Sequence, residues 1–209
     1  AALDGIHGGA RGITVHLRED RRHIQDRDVF ELKRAISVPL NLEMSIAEEI
    51  VSVALRLKPA KACLVPERRQ ELTTEGGLDV RREKRHVAHV IDRLQGRGVL
   101  VSVFIDPIPQ QVHAAYDAGT DFIELHTGKY SNSKGLRRRR ELNRLCAASV
   151  LAHSLELGVN AGHGLDYDNV KPIARLPYIE ELNIGFAIVA ESIFTGLREA
   201  ARRMVSLMR

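Results

Sequence analysis

The fold of this chain is decided by the stretch Leu157-Gly158-Val159-Asn160-Ala161-Gly162-His163-Gly164. Its apolar beginning is typical of a buried strand, and the strand passes into a loop where a histidine stands between two glycines. Gly162 and Gly164 allow a positive φ and a close approach of backbone N–H groups to an anion, while the imidazole of His163 points into the same space. The stretch therefore predicts an active-site rim at the carboxyl end of a strand. A turn with a surface histidine is the alternative interpretation of these residues alone.

Six other apolar runs recur along the chain, and they too end in polar or glycine-bearing groups. Each run is followed by a helical pattern. Strict alternation of strand and helix predicts a parallel sheet, either doubly wound or closed as a (β/α)8 barrel. A doubly wound sheet gathers its ligands at one switch point, whereas a barrel uses every strand terminus at its carboxyl face. Polar groups at nearly all the strand ends therefore favour an α/β fold of the (β/α)8 TIM barrel type.

The predicted domain organisation is a single barrel domain over residues 1–209. A chain of 209 residues with 44% hydrophobic residues suffices for one large α/β core. The pattern contains seven strands, and it opens at residues 1–11 with the tail of a helix, before a first strand at 12–17. We therefore expect the first strand of the barrel to be absent from this sequence, so that the domain is amino-terminally incomplete.

Cysteine content and hydropathy indicate the compartment. Cys63 and Cys146 lie far apart without the spacing of paired ligands, which suggests neither a disulfide framework nor a zinc ribbon. We expect a cytoplasmic location. The first dozen residues carry no apolar core of signal-peptide length, and no run approaches the roughly 20 apolar residues of a membrane span. The sequence therefore predicts no export and no membrane partner.

The net charge of +4 and two basic clusters, at residues 81–85 and 137–140, raise the question of nucleic-acid binding. Both clusters lie in helical segments with acidic neighbours such as Glu141. The five Phe and four Tyr are the only aromatic residues, and none is interleaved with the arginines as a stacking platform requires. The clusters therefore indicate solvated helix faces, and we expect no nucleic-acid partner. A modest basic excess also suits phosphorylated small molecules.

Acid–base chemistry is indicated by the residues at the strand ends. Two of them, Glu43 and Glu124, stand within otherwise apolar strands, where an unpaired charge is costly. A structural explanation requires a buried partner for each, such as Arg18, but a functional cleft is the favoured explanation. Carboxylates and histidines that converge on a barrel mouth can transfer protons near neutral pH. The strand-end groups are His16 with Arg18, Glu43, Pro66 with Glu67, Asp106, Glu124 with His126, His163 with Gly164, and Gly185.

Phosphate binding is indicated by the glycines at 162, 164 and 185, after the last two strands. Barrels commonly bind phosphate at this place through backbone N–H groups and a helix amino terminus. A second anion could be held by basic residues after the first strand, which are Arg18, Arg22 and His23.

Two further features bear on the reaction. Residues 66–77 form a charged segment rich in threonine and glycine, and a loop of that length in a compact barrel predicts a lid. Lys129 is the lysine nearest a strand end, two residues beyond Thr127, so a Schiff-base aldolase is disfavoured.

Five long segments of the chain carry a family resemblance. They are Thr14-Val15-His16-Leu17-Arg18-Glu19-Asp20-Arg21-Arg22-His23-Ile24, Asn41-Leu42-Glu43-Met44, Leu64-Val65-Pro66-Glu67 through Thr73-Thr74-Glu75-Gly76-Gly77-Leu78-Asp79-Val80, Phe122-Ile123-Glu124-Leu125-His126-Thr127-Gly128 and Asn160-Ala161-Gly162-His163-Gly164-Leu165. In this order they closely resemble the pyridoxine 5'-phosphate synthase family. The resemblance covers the whole chain and is far more specific than a short glycine pattern.

The resemblance implies a (β/α)8 barrel that assembles into a homo-octamer. It implies condensation of 1-deoxy-D-xylulose 5-phosphate with 3-amino-2-oxopropyl phosphate, which gives pyridoxine 5'-phosphate, inorganic phosphate and water, a step of vitamin B6 biosynthesis. No metal and no organic cofactor is implied. Because the aminoketone supplies the nitrogen for imine formation, an enzyme of this kind needs no lysine for that purpose.

The resemblance also implies roles for individual residues. His16 and Glu43 correspond to proton acceptors, His163 to a proton donor and Glu124 to a transition-state stabiliser. The implied ligands of the deoxyxylulose phosphate are Arg18, His23 and Thr73, and those of the aminoketone phosphate are Gly164, Gly185 and Phe186.

Two departures from the family pattern accompany the resemblance. Phe186 stands where the family usually has histidine, so its backbone N–H is the group expected to bind phosphate. The family's first strand carries an Asn-x-Asp-His motif, and we expect this motif, together with that strand, to be absent from this sequence.

Two alternative functions stay open at this point. A barrel that lacks its first strand could be a catalytically impaired subunit or a ligand-binding protein. A metal-dependent barrel hydrolase that uses His16, His126, His163 and Asp106 is less favoured, because the spread of these groups around the rim suits proton transfer at least as well.

Overall fold

The computed structural model describes residues 1–67 and 76–208. Its centre is one parallel sheet with the strands β1 (Ile13–Leu17), β2 (Leu40–Met44), β3 (Lys61–Leu64), β4 (Leu100–Ile105), β5 (Phe122–His126), β6 (Gly158–Gly162) and β7 (Ile179–Asn183). Across the sheet the strands follow one another in chain order from β1 to β7. Because this order has no point of reversal, the doubly wound alternative is wrong, and the α/β class with seven strands is confirmed.

The connecting segments are mostly helical. The helices are α1 (Ala2–His7), α2 (Asp26–Ala35), α3 (Glu48–Leu57), α4 (Val80–Gln95), α5 (Pro109–Asp117), α6 (Gly128–Ser131), α7 (Gly135–Ser154), α8 (Val170–Ala174), α9 (Phe186–Thr195) and α10 (Leu197–Leu207). The sequence indicates one final helix, but α9 and α10 are separate because Gly196 interrupts them with a φ of +79°.

The sheet is strongly curled. Thr14 Oγ1 on β1 donates a hydrogen bond to Asn183 Oδ1 on β7 at 2.8 Å, although the two residues are 169 positions apart. Side chains of the first and last strands therefore meet across the concave face. Within the described residues β1 and β7 are not paired with each other, so the sheet is an open half-barrel and the predicted closed (β/α)8 barrel is not reached.

Alternation along the strands separates an apolar face from a polar one. One set of positions, such as Leu42 and Met44 on β2, is fully buried in the large core between sheet and helices. The alternate set, such as Asn41 and Glu43 on the same strand, lies on the concave face. The concave face is therefore the place where polar side chains from every strand can meet, and it holds the candidate site.

The two basic clusters lie on helices. In residues 81–85 of α4 the arginines and the lysine are exposed, and in residues 137–140 of α7 three of the four arginines are exposed and Arg138 is half-buried. The prediction of solvated helix faces is confirmed for these residues. No helix in the described ranges is both long and apolar enough to span a membrane.

Candidate active site

His16 and Glu43 form the first part of the site, at the carboxyl ends of β1 and β2. They are register partners on neighbouring strands, and His16 Nδ1 lies 3.9 Å from Glu43 Oε2. Their side chains are 21% and 26% exposed, so both reach the opening of the concave face. A substrate that enters this opening meets an imidazole and a carboxyl group side by side.

The environment shifts the proton affinities of this pair in opposite directions. Burial lowers the pKa of His16 to about 4, and the nearby cations Arg18 and His23 add to the effect. Burial raises the pKa of Glu43 to about 7. His16 is therefore neutral near pH 7 and can accept a proton, while Glu43 exchanges a proton close to that pH.

Glu67 completes this side of the site, three residues after the end of β3. Its carboxylate accepts hydrogen bonds from the Glu19 N–H at 2.9 and 3.1 Å, and one oxygen lies 3.9 Å from His16 Nε2. Arg18 Nη2 lies 3.5 Å from Glu67 Oε1, and Arg18 Nε donates to Asp20 at 3.3 Å. Arg18 thus pairs with Glu67 and Asp20, and the structural explanation in which Arg18 neutralises the strand carboxylates is not supported.

Glu124 lies deep on the concave face and is 2% exposed. Its Oε2 accepts a hydrogen bond from Asn183 Nδ2 at 2.7 Å, and Cys63 Sγ lies 3.5 Å from the same oxygen. Burial and the negative charge of Glu43 raise the pKa of Glu124 well above its usual range. These partners lie on β3 and β7, and Gly162 on β6 leaves room for Oε1, so Glu124 occupies the centre of the concave face rather than one edge.

His163 directly follows β6 and has a φ of +82°, an uncommon conformation for a residue with a side chain. Thr127 holds the turn, with its Oγ1 2.5 Å from the His163 carbonyl oxygen and 2.7 Å from that of Gly162. The imidazole packs edge-on against His126, with ring centroids 5.1 Å apart. Burial lowers the pKa of His163, with His126 contributing in the same direction.

His126 is itself held by Asp106, which directly follows β4. His126 Nδ1 lies 3.1 Å from Asp106 Oδ1, and Lys129 Nζ lies 3.4 Å from Asp106 Oδ2. The hydrogen bond to His126 lowers the pKa of Asp106. A carboxylate thus fixes the orientation of the ring against which His163 packs.

The predicted anion site lies at Gly164 and at the start of α9. Gly164 has a φ of +74°, and a Cβ there would lie 3.0 Å from Ser131 Cβ, so both the backbone and the space favour glycine. Gly185 precedes the first turn of α9, whose N–H groups are not used within the helix. Phe186 is 89% exposed and brings no polar side-chain atom. At residue 186 itself, the backbone N–H is therefore the group of Phe186 that could bind phosphate.

The whole chain, residues 1–209, matches the family model described as pyridoxal phosphate biosynthesis protein PdxJ. The chain belongs to this family. The pyridoxine 5'-phosphate synthase of Geobacter sulfurreducens is 52% identical over 210 residues, which is 100% of this chain and 88% of that protein. The pyridoxine 5'-phosphate synthase of Prochlorococcus marinus is 53% identical over 201 residues, 96% of this chain and 82% of that protein. The resemblance inferred from sequence is confirmed.

Solved structures extend the comparison to the fold. A 3-hexulose-6-phosphate synthase superposes with a TM-score of 0.70 at 14% identity, covering 100% of this chain and 91% of that one. The phosphoribosylanthranilate isomerase of Thermotoga maritima superposes with a TM-score of 0.63 at 13% identity, covering 99% and 91%. At such identities the likeness shows the fold alone, and it places this PdxJ family chain among TIM-barrel-type structures.

The predicted site residues of this PdxJ family chain fall into three groups. His16 and Glu43 meet at the ends of β1 and β2, with Arg18 and the exposed His23 close by. His163 lies on the other side, beside Gly164, and Glu124 lies between the two sides. Thr73 and most of the predicted lid at 66–77 lie outside the described residues.

Two residues with polar contacts in the site were not among the predicted ones. Cys63 and Asn183 touch Glu124, yet each is unremarkable in its own stretch of sequence. The available signal was position, since both lie in apolar runs and Asn183 stands two residues before the strand-end group Gly185. Glu67, which was a predicted strand-end group, contacts His16. Within the described ranges no group of three or more His, Cys, Asp or Glu is placed to hold a metal ion.

Proposed function

We propose that this chain is a pyridoxine 5'-phosphate synthase of vitamin B6 biosynthesis. It condenses 1-deoxy-D-xylulose 5-phosphate with 3-amino-2-oxopropyl phosphate to pyridoxine 5'-phosphate, inorganic phosphate and water, without a metal or organic cofactor. The observation that carries the proposal is the whole-chain family match, with relatives of that name at about 50% identity. The same match leaves no support for the metal-dependent hydrolase.

The reaction requires protons to be removed from and returned to carbon and oxygen atoms as the ring forms. Glu43 suits proton abstraction because its pKa is near neutrality, and the neutral imidazole of His16 supplies a second acceptor beside it. Burial lowers the pKa of His163, so its imidazole is neutral near pH 7. A neutral imidazole still carries one ring N–H, and His163 serves as the proton donor on the opposite side.

Glu124 has the position of a charge stabiliser. Imine chemistry passes through cationic nitrogen, and a carboxylate in a buried site interacts strongly with such a cation. Glu124 is buried, and its hydrogen-bond partners within the described residues, Asn183 and Cys63, are uncharged. Burial and Glu43 raise its pKa to about 8, and the positive charge of a bound substrate cation would lower that pKa and favour the carboxylate.

The two substrate phosphates are assigned to opposite sides of the opening. Arg18 and His23, with Thr73, would bind the deoxyxylulose phosphate near His16. Gly164, Gly185 and the N–H of Phe186 would bind the aminoketone phosphate, since a helix amino terminus favours an anion. In this proposal the reacting ends of both substrates meet near Glu124.

The chain is further proposed to act in the cytoplasm as a homo-octamer. Its two cysteines are free thiols, as expected in a reducing compartment. The helix α9 presents exposed apolar side chains, which favour self-association. They are Phe186, Val189, Ile193 and Phe194. Light scattering coupled to gel filtration measures the assembly directly.

The activity test uses the purified chain with both phosphorylated substrates. Pyridoxine 5'-phosphate is identified by chromatography and mass spectrometry, and phosphate release is followed in parallel. Reactions that omit either substrate are the controls. One equivalent of phosphate per product supports the proposal. A folded chain that binds the substrates but forms no product would favour the catalytically impaired subunit instead.

A further inference from the structure

A chain of hydrogen bonds crosses the concave face and ends on Glu124. Asn41 Nδ2 donates to Thr14 Oγ1 at 3.3 Å, and Thr14 Oγ1 donates to Asn183 Oδ1 at 2.8 Å. Asn183 Nδ2 then donates to Glu124 Oε2 at 2.7 Å. Strands β2, β1 and β7 are thereby connected in series to β5.

The order of donors and acceptors fixes the side-chain amide of Asn183. The Thr14 hydroxyl accepts from Asn41, so its single hydrogen is left for the Asn183 oxygen. The amide NH2 group must then face Glu124. With the amide turned over, its oxygen would oppose the oxygen of ionised Glu124, and a buried acceptor would lose its partner in the form that acts in the reaction. Thr14 therefore determines that Glu124 receives a donor.

Other contacts restrict the same carboxyl group. Cys63 Sγ lies 3.5 Å from Glu124 Oε2, and the missing Cβ of Gly162 makes room for Oε1, since a Cβ there would lie 2.3 Å from that oxygen. Because Glu124 is almost fully buried, water does not replace a lost donor easily. The orientation of the carboxyl group depends on these few protein contacts.

We propose that Asn183 is a positioning residue for Glu124, and that Thr14 keeps Asn183 in the orientation this requires. The inference rests on the proposed function in one respect, that Glu124 acts as a carboxylate in the reaction. Asn183 and Thr14 act through Glu124.

The hydrogen bond from Asn183 lowers the pKa of Glu124, whereas the surrounding negative charges raise it. Burial, Glu43 on β2 and Glu181 on β7 all raise the pKa of Glu124, whereas the bonds from Asn183 and from Cys63 on β3 lower it. Loss of the Asn183 donor must therefore move the titration of Glu124 to higher pH. A role confined to packing would not do so.

The experiment compares Thr14→Val, which keeps the shape and removes the hydroxyl, with Thr14→Ser, which keeps the hydroxyl. Thr14→Val should lower kcat about tenfold with KM nearly unchanged, and raise the acidic midpoint of the pH profile by about one unit, the size of a hydrogen bond to a charged group. Thr14→Ser should restore both. Asn183→Leu, which removes the donor itself, should reproduce the shift if it folds.

The matched control is Thr120→Val. Thr120 is a buried threonine whose hydroxyl donates to the backbone carbonyl of Val101 at 2.8 Å, whereas Thr14 is half-buried and donates to the side chain of Asn183. This variant should lose stability without moving the pH midpoint. If Thr14→Val behaves in the same way as Thr120→Val, the positioning inference is overturned.

A second readout does not depend on activity. Carbon-13 labelling of the glutamate carboxyl groups allows the titration of Glu124 to be followed by NMR, with Glu124→Gln identifying its signal. In Thr14→Val this titration should move up by about one pH unit. Should the parent chain form no product while the titration still moves, the proposed function fails and the positioning role stands. Should the parent be active and neither midpoint move, the positioning role is wrong.

Discussion

His16 and Glu43 occupy the same register position on neighbouring strands, and His16 Nδ1 lies 3.9 Å from Glu43 Oε2. Burial shifts the pKa values of the two side chains in opposite directions. The pKa of His16 falls to about 4 and that of Glu43 rises to about 7. Near neutral pH a proton shared by the pair therefore resides on the carboxyl group. The imidazole keeps a free lone pair, which is the form that accepts a proton from substrate.

Replacing Glu43 with Gln should abolish most of the activity while preserving the fold. The amide is nearly isosteric but cannot accept a proton, and loss of a general base commonly costs about 10²- to 10⁴-fold in rate. Steady-state kcat measures the loss, with Glu31→Gln on the exposed surface of α2 as the control. A variant that keeps more than half of the parent's kcat would exclude Glu43 as the base.

The pH dependence of kcat/KM should rise between about pH 7 and pH 8. Activity requires ionised Glu43, whose pKa is about 7, and ionised Glu124, whose pKa is about 8. His16 is already neutral above about pH 5 because its pKa is about 4. Removing His16 as His16→Asn should lower the rate without moving this rise. An acidic midpoint below pH 5.5 in the parent would contradict the assignment.

Stability should fall as the pH rises from about 5 to 8. Glu43 and Glu124 have raised pKa values in the fold, so the native chain binds more protons than the unfolded chain between the usual carboxyl value of 4.5 and the folded values. His16, whose pKa is lowered, has the opposite effect below about pH 6.5. The window above pH 6.5 therefore isolates the carboxyl groups.

Glu124→Gln tests this linkage, because the amide does not ionise. Urea unfolding at pH 6.5 and pH 8 should show that the variant gains stability relative to the parent as the pH rises, on the order of 1 kcal/mol. Glu31→Gln should show no such trend. Parallel curves for Glu124→Gln and the parent would mean that Glu124 ionises normally in the fold.

Gly162→Ala should damage both the fold and the site. The added Cβ would lie 2.3 Å from Glu124 Oε1 and 3.1 Å from the backbone oxygen of Asn183, which cannot move aside easily. Overpacking of this kind costs about 1–3 kcal/mol. Gly12→Ala is the control, since its Cβ would meet Pro39 O at an ordinary 3.6 Å. Equal melting temperatures for the two variants would show that Glu124 and the backbone at Asn183 can move to make room for the added methyl group, which would contradict the prediction.

The two cysteines should differ in their reaction with iodoacetamide. Cys63 is fully buried, and burial together with Glu124 and Glu43 raises the pKa of its thiol, whereas Cys146 is partly exposed. Intact mass should show one label on the native chain and two after denaturation. Peptide mapping then locates the first label at Cys146. Rapid labelling of Cys63 in the native chain would contradict its buried position.

Much of the site could be predicted because parallel strands have their carboxyl ends on the same side of a sheet. The residues that end the apolar runs, such as His16, Glu43 and His163, therefore had to share one side once the strands were identified. Helix starts are harder to predict from local pattern. Ser45 and Glu48 have the spacing of a capping box, which predicts a helix that starts after Ser45, but α3 begins at Glu48 and Ser45 Oγ accepts a hydrogen bond from the Ala47 N–H.

The sequence by itself determined the α/β class, the seven strands and the family, because these depend on local pattern and on motif order. It also singled out Glu43 and Glu124 as charged residues within otherwise apolar strands. Tertiary structure alone decided which groups surround Glu124. The bond from Thr14 to Asn183 joins residues 169 positions apart, and it exists because the sheet curls until its first and last strands approach. Curvature is a property of all seven strands together, so no local stretch encodes it, and the contacts that set the orientation and the proton affinity of Glu124 follow from that curvature.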